Sequence, residues 1–323
     1  MSLRETMALT IGDMLNGDMP EGEAHAFLSA LDIHTLTPEA LAGAVAAVMA
    51  RCVAFPAFPH AVDGCGTGGD DQYTYNISTA AALVAAACGV VVAKHGNRAV
   101  TSQSGSADVL EALGVNTALS PARSAELLEK VGIAFLFAPN FHPGFAHIAP
   151  VRKKIRHRTI FNLLGPLCNP AKVERQLIGV FDAKLCPLIA ETCKLLGRRH
   201  VMVVHGDDGS DEISVIDTTH VSALHNATIS HSILRPHDAG IEFQDAGDLI
   251  GGDAAMNAAA LRKVLTGEPG AYTQATIINA AAMLMVAGNA ATLADGATLA
   301  RAALTSGAAH NKLQQLITAS AHG

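Results

Sequence analysis

Asp207, Asp208, Asp211 and Glu212 place four carboxylates within six positions, directly after the apolar run 201–204. Four like charges in one turn repel each other unless they are solvated or hold a cation. Mg²⁺ suits such a turn because it takes oxygen ligands, keeps several waters and bridges to phosphate. The spacing lacks the twelve-residue pattern of a calcium loop, and a solvated acidic turn is the plain alternative. Upstream, Asp63-Gly64-Cys65-Gly66-Thr67-Gly68-Gly69-Asp70 removes side chains from four of six positions between 64 and 69. Bare backbone N–H groups can then converge on an anion. Asn76-Ile77-Ser78-Thr79 runs straight into the apolar stretch 80–87. Asn76 or Ser78 is expected to cap that helix, whose first amides form a second anion site.

Two further blocks turn a weak signal into a specific one. Lys94-His95-Gly96-Asn97-Arg98 follows the β-branched run 90–93, so cations and amide donors stand at a strand end. Thr101-Ser102-Gln103-Ser104-Gly105-Ser106-Ala107-Asp108 is a hydroxyl-rich junction into another helix, and it too can hold a phosphate. Taken with the acidic turn, these blocks favour metal-assisted pyrophosphate chemistry over a set of ordinary turns. Arg152, Lys153, Lys154, Arg156 and Arg158 put five basic side chains in seven positions. The run is short and passes at once into apolar sequence ending in Gly165-Pro166. It reads as one arginine turned inward toward a carboxylate, with the others solvated.

The elements that position these groups follow from texture. Residues 1 to 50 read as short helices, one opening at Pro20-Glu21 and one with Thr37 as cap and Pro38 at its first position. From Ala61 onward, short β-branched runs at 61–62, 90–94, 134–137, 176–180, 201–204 and 213–216 read as strands. Helical stretches at 78–88, 106–113 and 183–196 lie between them, and from about 254 the chain returns to helix. The alternation predicts an α/β fold with a mainly parallel central sheet, its chemistry at the carboxyl ends of the strands.

Composition bounds the rest. The 323 residues are 50% hydrophobic and 16% charged, with no Trp and a formal charge of -7. That balance argues against a nucleic-acid surface, so an anionic substrate must be held by local donors. The six cysteines are scattered without a C-x-x-C pair and read as reduced thiols. No signal pattern or membrane-length apolar run is visible, and the expectation is a cytoplasmic protein.

Taken together, the blocks resemble the anthranilate phosphoribosyltransferases, a family of the nucleoside-phosphorylase-like phosphoribosyltransferase class. The matching motifs are GTGGD at 66–70, T-Y-NIST at 74–79, AKHGNR at 93–98, SGSADVLEALGV at 104–115, RTIFNLLGPLCNPA at 158–171 and VVHGDDGSDEIS at 203–214. GGDAAMNAAAL near 251 resembles the family's C-terminal part, so the likeness covers nearly the whole chain. It implies transfer of a ribose phosphate from PRPP to the amine of anthranilate, with Mg²⁺ as cofactor. It also implies a small helical domain (1–60, joined by roughly 147–167) beside an α/β domain (61–323), usually dimerised through the helical part.

By that resemblance Gly66, Gly69, Asp70, Thr74, Asn76, Ser78 and Thr79 would hold the pyrophosphate end of PRPP. Lys94, Ser102 and Ser106 would hold its ribose and 5′-phosphate. Ser78, Asp211 and Glu212 would bind the metal. Asn97, Arg152 and His95 carry the catalytic assignment, with Gly66, Asn97 and Arg152 at anthranilate. The sequence departs from the family pattern at Asp71 (usually Gly), Gln103 (commonly Lys), Ser210 (often Leu) and Arg156 (often Gly). The N-terminus reads as shorter than the family norm by roughly one or two helices. The nearest rival is a pyrimidine nucleoside phosphorylase of similar fold. A non-catalytic relative that binds nucleic acid is opposed by the acidic charge and the intact metal residues.

Overall fold

The computed structural model describes residues 1–70, 72–99 and 103–321. Three helices open the chain: α1 (Leu3–Asn16), α2 (Glu21–Ala30) and α3 (Pro38–Ala50). Local chemistry sets their ends. The Ser2 hydroxyl accepts from Glu5 N–H while the Glu5 carboxylate accepts from Ser2 N–H, and Gly17 ends α1 at a left-handed φ of 79°. Thr37 caps α3 and Pro38 takes its first position, as the sequence predicts.

Strands and helices then alternate. β1 (Val62–Gly66) leads to α4 (Ile77–Ala87), β2 (Val92–Gly96), α5 (Ser106–Ala112), α6 (Pro121–Val131) and β3 (Ile133–Phe137). Three short helices follow: α7 (Ala138–Phe141), α8 (Phe145–Lys154) and α9 (Ile160–Leu167). Next come β4 (Arg175–Gly179), α10 (Leu185–Leu195), β5 (His200–Gly206), β6 (Thr219–His225) and β7 (Thr228–Leu234). Helices α11 (Ala254–Leu265), α12 (Ala271–Ala287), α13 (Leu293–Thr305) and α14 (Ala308–Ala321) close the fold.

The seven strands form one sheet in the order β3-β2-β1-β4-β5-β6-β7. β1 to β5 are parallel, whereas β6 and β7 pair antiparallel. Two expectations need correction. Residues 213–216 are irregular rather than strand, because their backbone is held by side chains instead of a ladder. The β6–β7 hairpin was not foreseen. Its two-residue turn is Asn226-Ala227, with both residues at positive φ (47° and 65°), and Ala227 replaces the Gly that signals such a turn.

The sheet sorts its side chains by the period of two. Leu177, Met202 and Val204 join one apolar cluster with α4, α12 and α13. Ile178, Val180, Val201 and Val203 join another that contains α1, α3, α9 and α10. Among the described residues no helix is long and apolar enough to cross a membrane. Helices α1 and α3 approach closely at Gly43, where a Cβ would collide with the carbonyl of Arg4. Gly43→Ala should therefore force the helices apart and cost about 1–3 kcal/mol. A fall in Tm with unchanged Michaelis constants is the expected result, and an unchanged Tm would remove the packing argument.

Candidate active site

From β1 the chain steps outward through β2 to β3, then returns to the other side of β1 as β4. Such a reversal opens a crevice at the carboxyl ends of the two central strands. Gly66 ends β1 and Gly179 ends β4, side by side in register. Thr67 ties the two ends together: its N–H donates to Gly179 O at 3.0 Å, and its hydroxyl accepts from Phe181 N–H at 3.2 Å. Onto this crevice the loop after β5 brings Asp211. A Cβ on Gly66 would collide with the Asp211 carboxylate, and one on Gly179 with the Asp211 carbonyl. The two glycines make the approach possible.

The carboxylates of Asp211 and Glu212 rest on backbone amides. Asp211 Oδ2 accepts from Gly68 N–H at 2.7 Å, and Glu212 Oε1 accepts from Ser78 N–H at 3.1 Å in the first turn of α4. Gly68 and Gly69 adopt positive φ (65° and 72°), which turns the loop's amides inward. Burial, reinforced by the nearby Asp70, pushes the Asp211 carboxyl up to about 7. Burial, then the Asp211 charge, holds the Glu212 carboxyl well above the ordinary range, against the pull of Lys94. Among the described residues neither carboxylate has an ion-pair partner. The other two acids of the turn do something else. Asp207 bonds Thr218 and His220, while Asp208 accepts from Ser210 N–H, the Ser210 hydroxyl and the Ser214 hydroxyl. Ser210 is buried and satisfied by Asp208.

Of the other residues expected at the phosphates, Ser78 and Lys94 adjoin this pair. Lys94 is buried, and its ammonium donates to Gly64 O (2.7 Å) and the Ser78 hydroxyl (3.2 Å). Neither Asn76 nor Ser78 caps α4 through its side chain, contrary to expectation. Asn76 instead donates to Ser104 O and accepts from Asn257, which fixes the loop and leaves the Ser78 amide to Glu212. Thr74 bridges to Ile250, and Thr79 is buried. Gly69 O accepts from Arg158, whose guanidinium stacks 4.1 Å over Phe181. Ser106 donates to Asn97 O at 3.2 Å. Ser102 and Asp71 lie outside the described residues, while Gln103 and Arg156 are exposed.

His95 and Arg152, two of the residues expected at anthranilate, belong to a second group. His95, His142, Phe145 and Phe161 make a continuous run of ring contacts, with centroid separations of 5.3, 6.0 and 5.6 Å. Arg152 lies at its end, 5.6 Å over Phe161. Burial lowers the Arg152 pKa, and no carboxylate pairs with it among the described residues. His95 Nδ1 faces Gly165 O (3.2 Å) and His142 Nε2 faces Cys168 O (2.8 Å). A carbonyl only accepts, so each of those nitrogens carries the proton. His95 Nε2 and His142 Nδ1 are then buried acceptors without a partner among the described residues. Burial lowers His95 to about 3, and His142 to about 4. Asn97 is exposed, and its side-chain oxygen accepts from Arg98 N–H.

Several residues around the site were not foreseen. His142 is one, and its signal was a lone His between Phe141 and Pro143. Asp63 is another: it is fully buried, accepting from His95 N–H (3.1 Å), Asn169 (2.8 Å) and Gln176 (3.3 Å). That network joins β1, β2 and β4 to the segment after α9.

Residues 58–310 match the model of the glycosyl transferase family, a/b domain, and this defines the class. The anthranilate phosphoribosyltransferase of Nitrobacter hamburgensis is 45% identical over 98% of this chain and 94% of its own length. The crystal structure of the Thermus thermophilus enzyme superposes with a TM-score of 0.94 at 37% identity, covering 98% of this chain and 95% of that one. The Saccharomyces cerevisiae enzyme, solved in complex with PRPP and Mg, gives 0.88 at 27% identity over 99% and 93% of the two chains. The chain belongs to the anthranilate phosphoribosyltransferase family.

A carboxyl held above its unfolded value binds more protons folded than unfolded, so stability falls as pH rises through that window. For Asp211 the window runs from the ordinary carboxylate value of 3.8 to about 7. Asp211→Asn keeps an oxygen for Gly68 N–H but loses the charge. It should raise the Tm of the ligand-free protein at pH 8, on the order of a few degrees, and change it little at pH 4. An equal shift at both pH values would show that charge is not the cause. Gly179→Ala should displace the Asp211 backbone and raise the Michaelis constant for the phosphorylated substrate by about tenfold or more. Steady-state kinetics reads this directly.

Proposed function

We propose that the protein transfers the phosphoribosyl group of PRPP to the amine of anthranilate and releases pyrophosphate, the step that family members serve in tryptophan biosynthesis. The observation that carries this reading is the docking of Asp211 and Glu212 on the amides of Gly68 and Ser78. The glycine loop and the start of α4 already hold oxyanions through backbone donors, and a pyrophosphate presents the same chemistry to them.

Mg²⁺ fits the groups present. Asp211 and Glu212 offer adjacent oxygens with no ion-pair partner among the described residues, and burial, then the Asp211 charge, raises the proton affinity of Glu212. With the Ser78 hydroxyl they form an all-oxygen donor set of the kind that shares an ion with substrate phosphates. When bound, the ion neutralises charge on the departing pyrophosphate. Gly66, Gly69, Asp70, Thr74, Asn76, Ser78 and Thr79 hold the pyrophosphate, while Lys94, Ser102 and Ser106 have the role of holding the ribose and 5′-phosphate. The backbone donors near Gly68 are fixed before the substrate arrives, so they need no reorganisation as charge develops.

Arg152 holds the anthranilate carboxylate, and Gly66, Asn97 and His95 line its site. Their contribution is position: the neutral aniline nitrogen is a competent nucleophile at pH 7 and must be held in line with the anomeric carbon. The protein works in the cytoplasm as a homodimer through its helical part, residues 1–60 with 147–167, set against the α/β part 61–323. Loss of anthranilate fluorescence on incubation with PRPP and Mg²⁺ tests the reaction. Arg152→Ala should raise the anthranilate KM by about tenfold or more with little change in that for PRPP. An unchanged anthranilate KM would reassign the carboxylate's partner, and turnover of another aromatic acid alone would reassign the substrate.

A further inference from the structure

One face of α12 carries Tyr272, Thr276, Asn279 and Met283, and each reaches a segment of the site. The Tyr272 hydroxyl donates to Ile250 O at 2.6 Å, opposite Thr74. Thr276 bonds the Tyr75 hydroxyl within the glycine-loop segment. The Met283 sulfur fills the space beside Gly64. Asn279 makes the tightest of these connections. It is fully buried; its Oδ1 accepts from Ile213 N–H at 3.0 Å, and its Nδ2 donates to Ile213 O at 3.0 Å and to Ala275 O at 3.0 Å. We infer that Asn279 is a positioning residue for the Asp211–Glu212 pair: by gripping both polar groups of the next residue, it sets the two carboxylates against the Gly68 and Ser78 donors.

The loop from 207 to 218 has no ladder to fix it. Asp208 anchors one side through Ser210 and Ser214, and Asn279 anchors Ile213 on the other. Between them stand the two adjacent carboxylates, and Asp70 accepts from Asp211 N–H at 3.4 Å. An asparagine side chain presents a donor and an acceptor side by side, matching the N–H and C=O of one residue. Aspartate has no donor for Ile213 O, and an apolar side chain would leave both backbone groups buried and unpaired. This inference rests on the reading of Asp211 and Glu212 as the metal-bearing pair.

The experiment uses Mn²⁺ with inorganic pyrophosphate, bound Mn²⁺ being followed by electron paramagnetic resonance. Asn279→Ala should weaken Mn²⁺–pyrophosphate binding by about tenfold or more, as loss of an outer support does at metal sites. The PRPP KM should rise in step while the anthranilate KM stays within about twofold. Wild-type Mn²⁺ binding by Asn279→Ala, or an equal loss at the anthranilate site, would overturn the inference. Glu212→Gln tests the underlying reading separately: if it binds Mn²⁺ as wild type does, the pair is not the metal site. Should Asn279→Ala fail to fold, amide exchange in the wild-type protein decides. Ile213 N–H should be protected like the core strands, and rapid exchange would exclude the clamp.

Discussion

The site depends on one close approach, that of Asp211 to the ends of β1 and β4. Strand order opens the crevice, but the acidic turn enters it only because Gly66 and Gly179 have no side chains there. Once inside, the Asp211 carboxylate meets the Gly68 amide and Glu212 meets the first turn of α4. These contacts join sequence segments more than a hundred residues apart. They also concentrate negative charge where burial penalises it, which is why the proton affinities rise. A ligand-free protein carries that cost as reduced stability near neutral pH.

A costly arrangement of this kind has to be held by its surroundings. Below the glycine loop, Asp63 draws β2, β4 and the segment after α9 onto β1 through His95, Gln176 and Asn169. On the other side α12 meets the loops with a row of polar groups on an otherwise apolar helix. Asp63 is satisfied by one backbone amide and two side chains, and Asn279 by backbone groups of Ile213 and Ala275, so moving one loop unpairs groups in another. The two halves of the site are coupled through β2, since Lys94 faces the phosphate side and the adjacent His95 faces the aromatic wall.

Much of the crevice was legible in the sequence. Glycine loops, helix starts and strand-end cations are local features, and the structure brings Gly66, Ser78 and Lys94 together with two acids of the turn. What stayed hidden is what depends on tertiary approach. That Asp207 and Asp208 stabilise their own turn, leaving Asp211 and Glu212 to the crevice, follows from Thr218 and Ser214 folding back on them. Residues 213–216 have strand composition, yet side chains take up their backbone bonds. The β6–β7 hairpin lacks its usual glycine, and nothing local to Asn279 distinguishes it from any polar residue on a helix.

The aromatic wall shows how charge is apportioned on the acceptor side. Both histidines are held neutral by burial, with pKa values of about 3 and 4, far below any cellular pH. Their protons point away toward carbonyls, so the wall presents two bare nitrogen acceptors and apolar ring faces. Its one charge is Arg152, desolvated and without a carboxylate among the described residues. A second cation on the wall would draw phosphates into it as readily as a monoanionic ring. On the proposed function, neutral histidines would separate the two anion sites by kind: amides and a buried lysine for phosphate, and a single guanidinium over an aromatic face for a flat monocarboxylate.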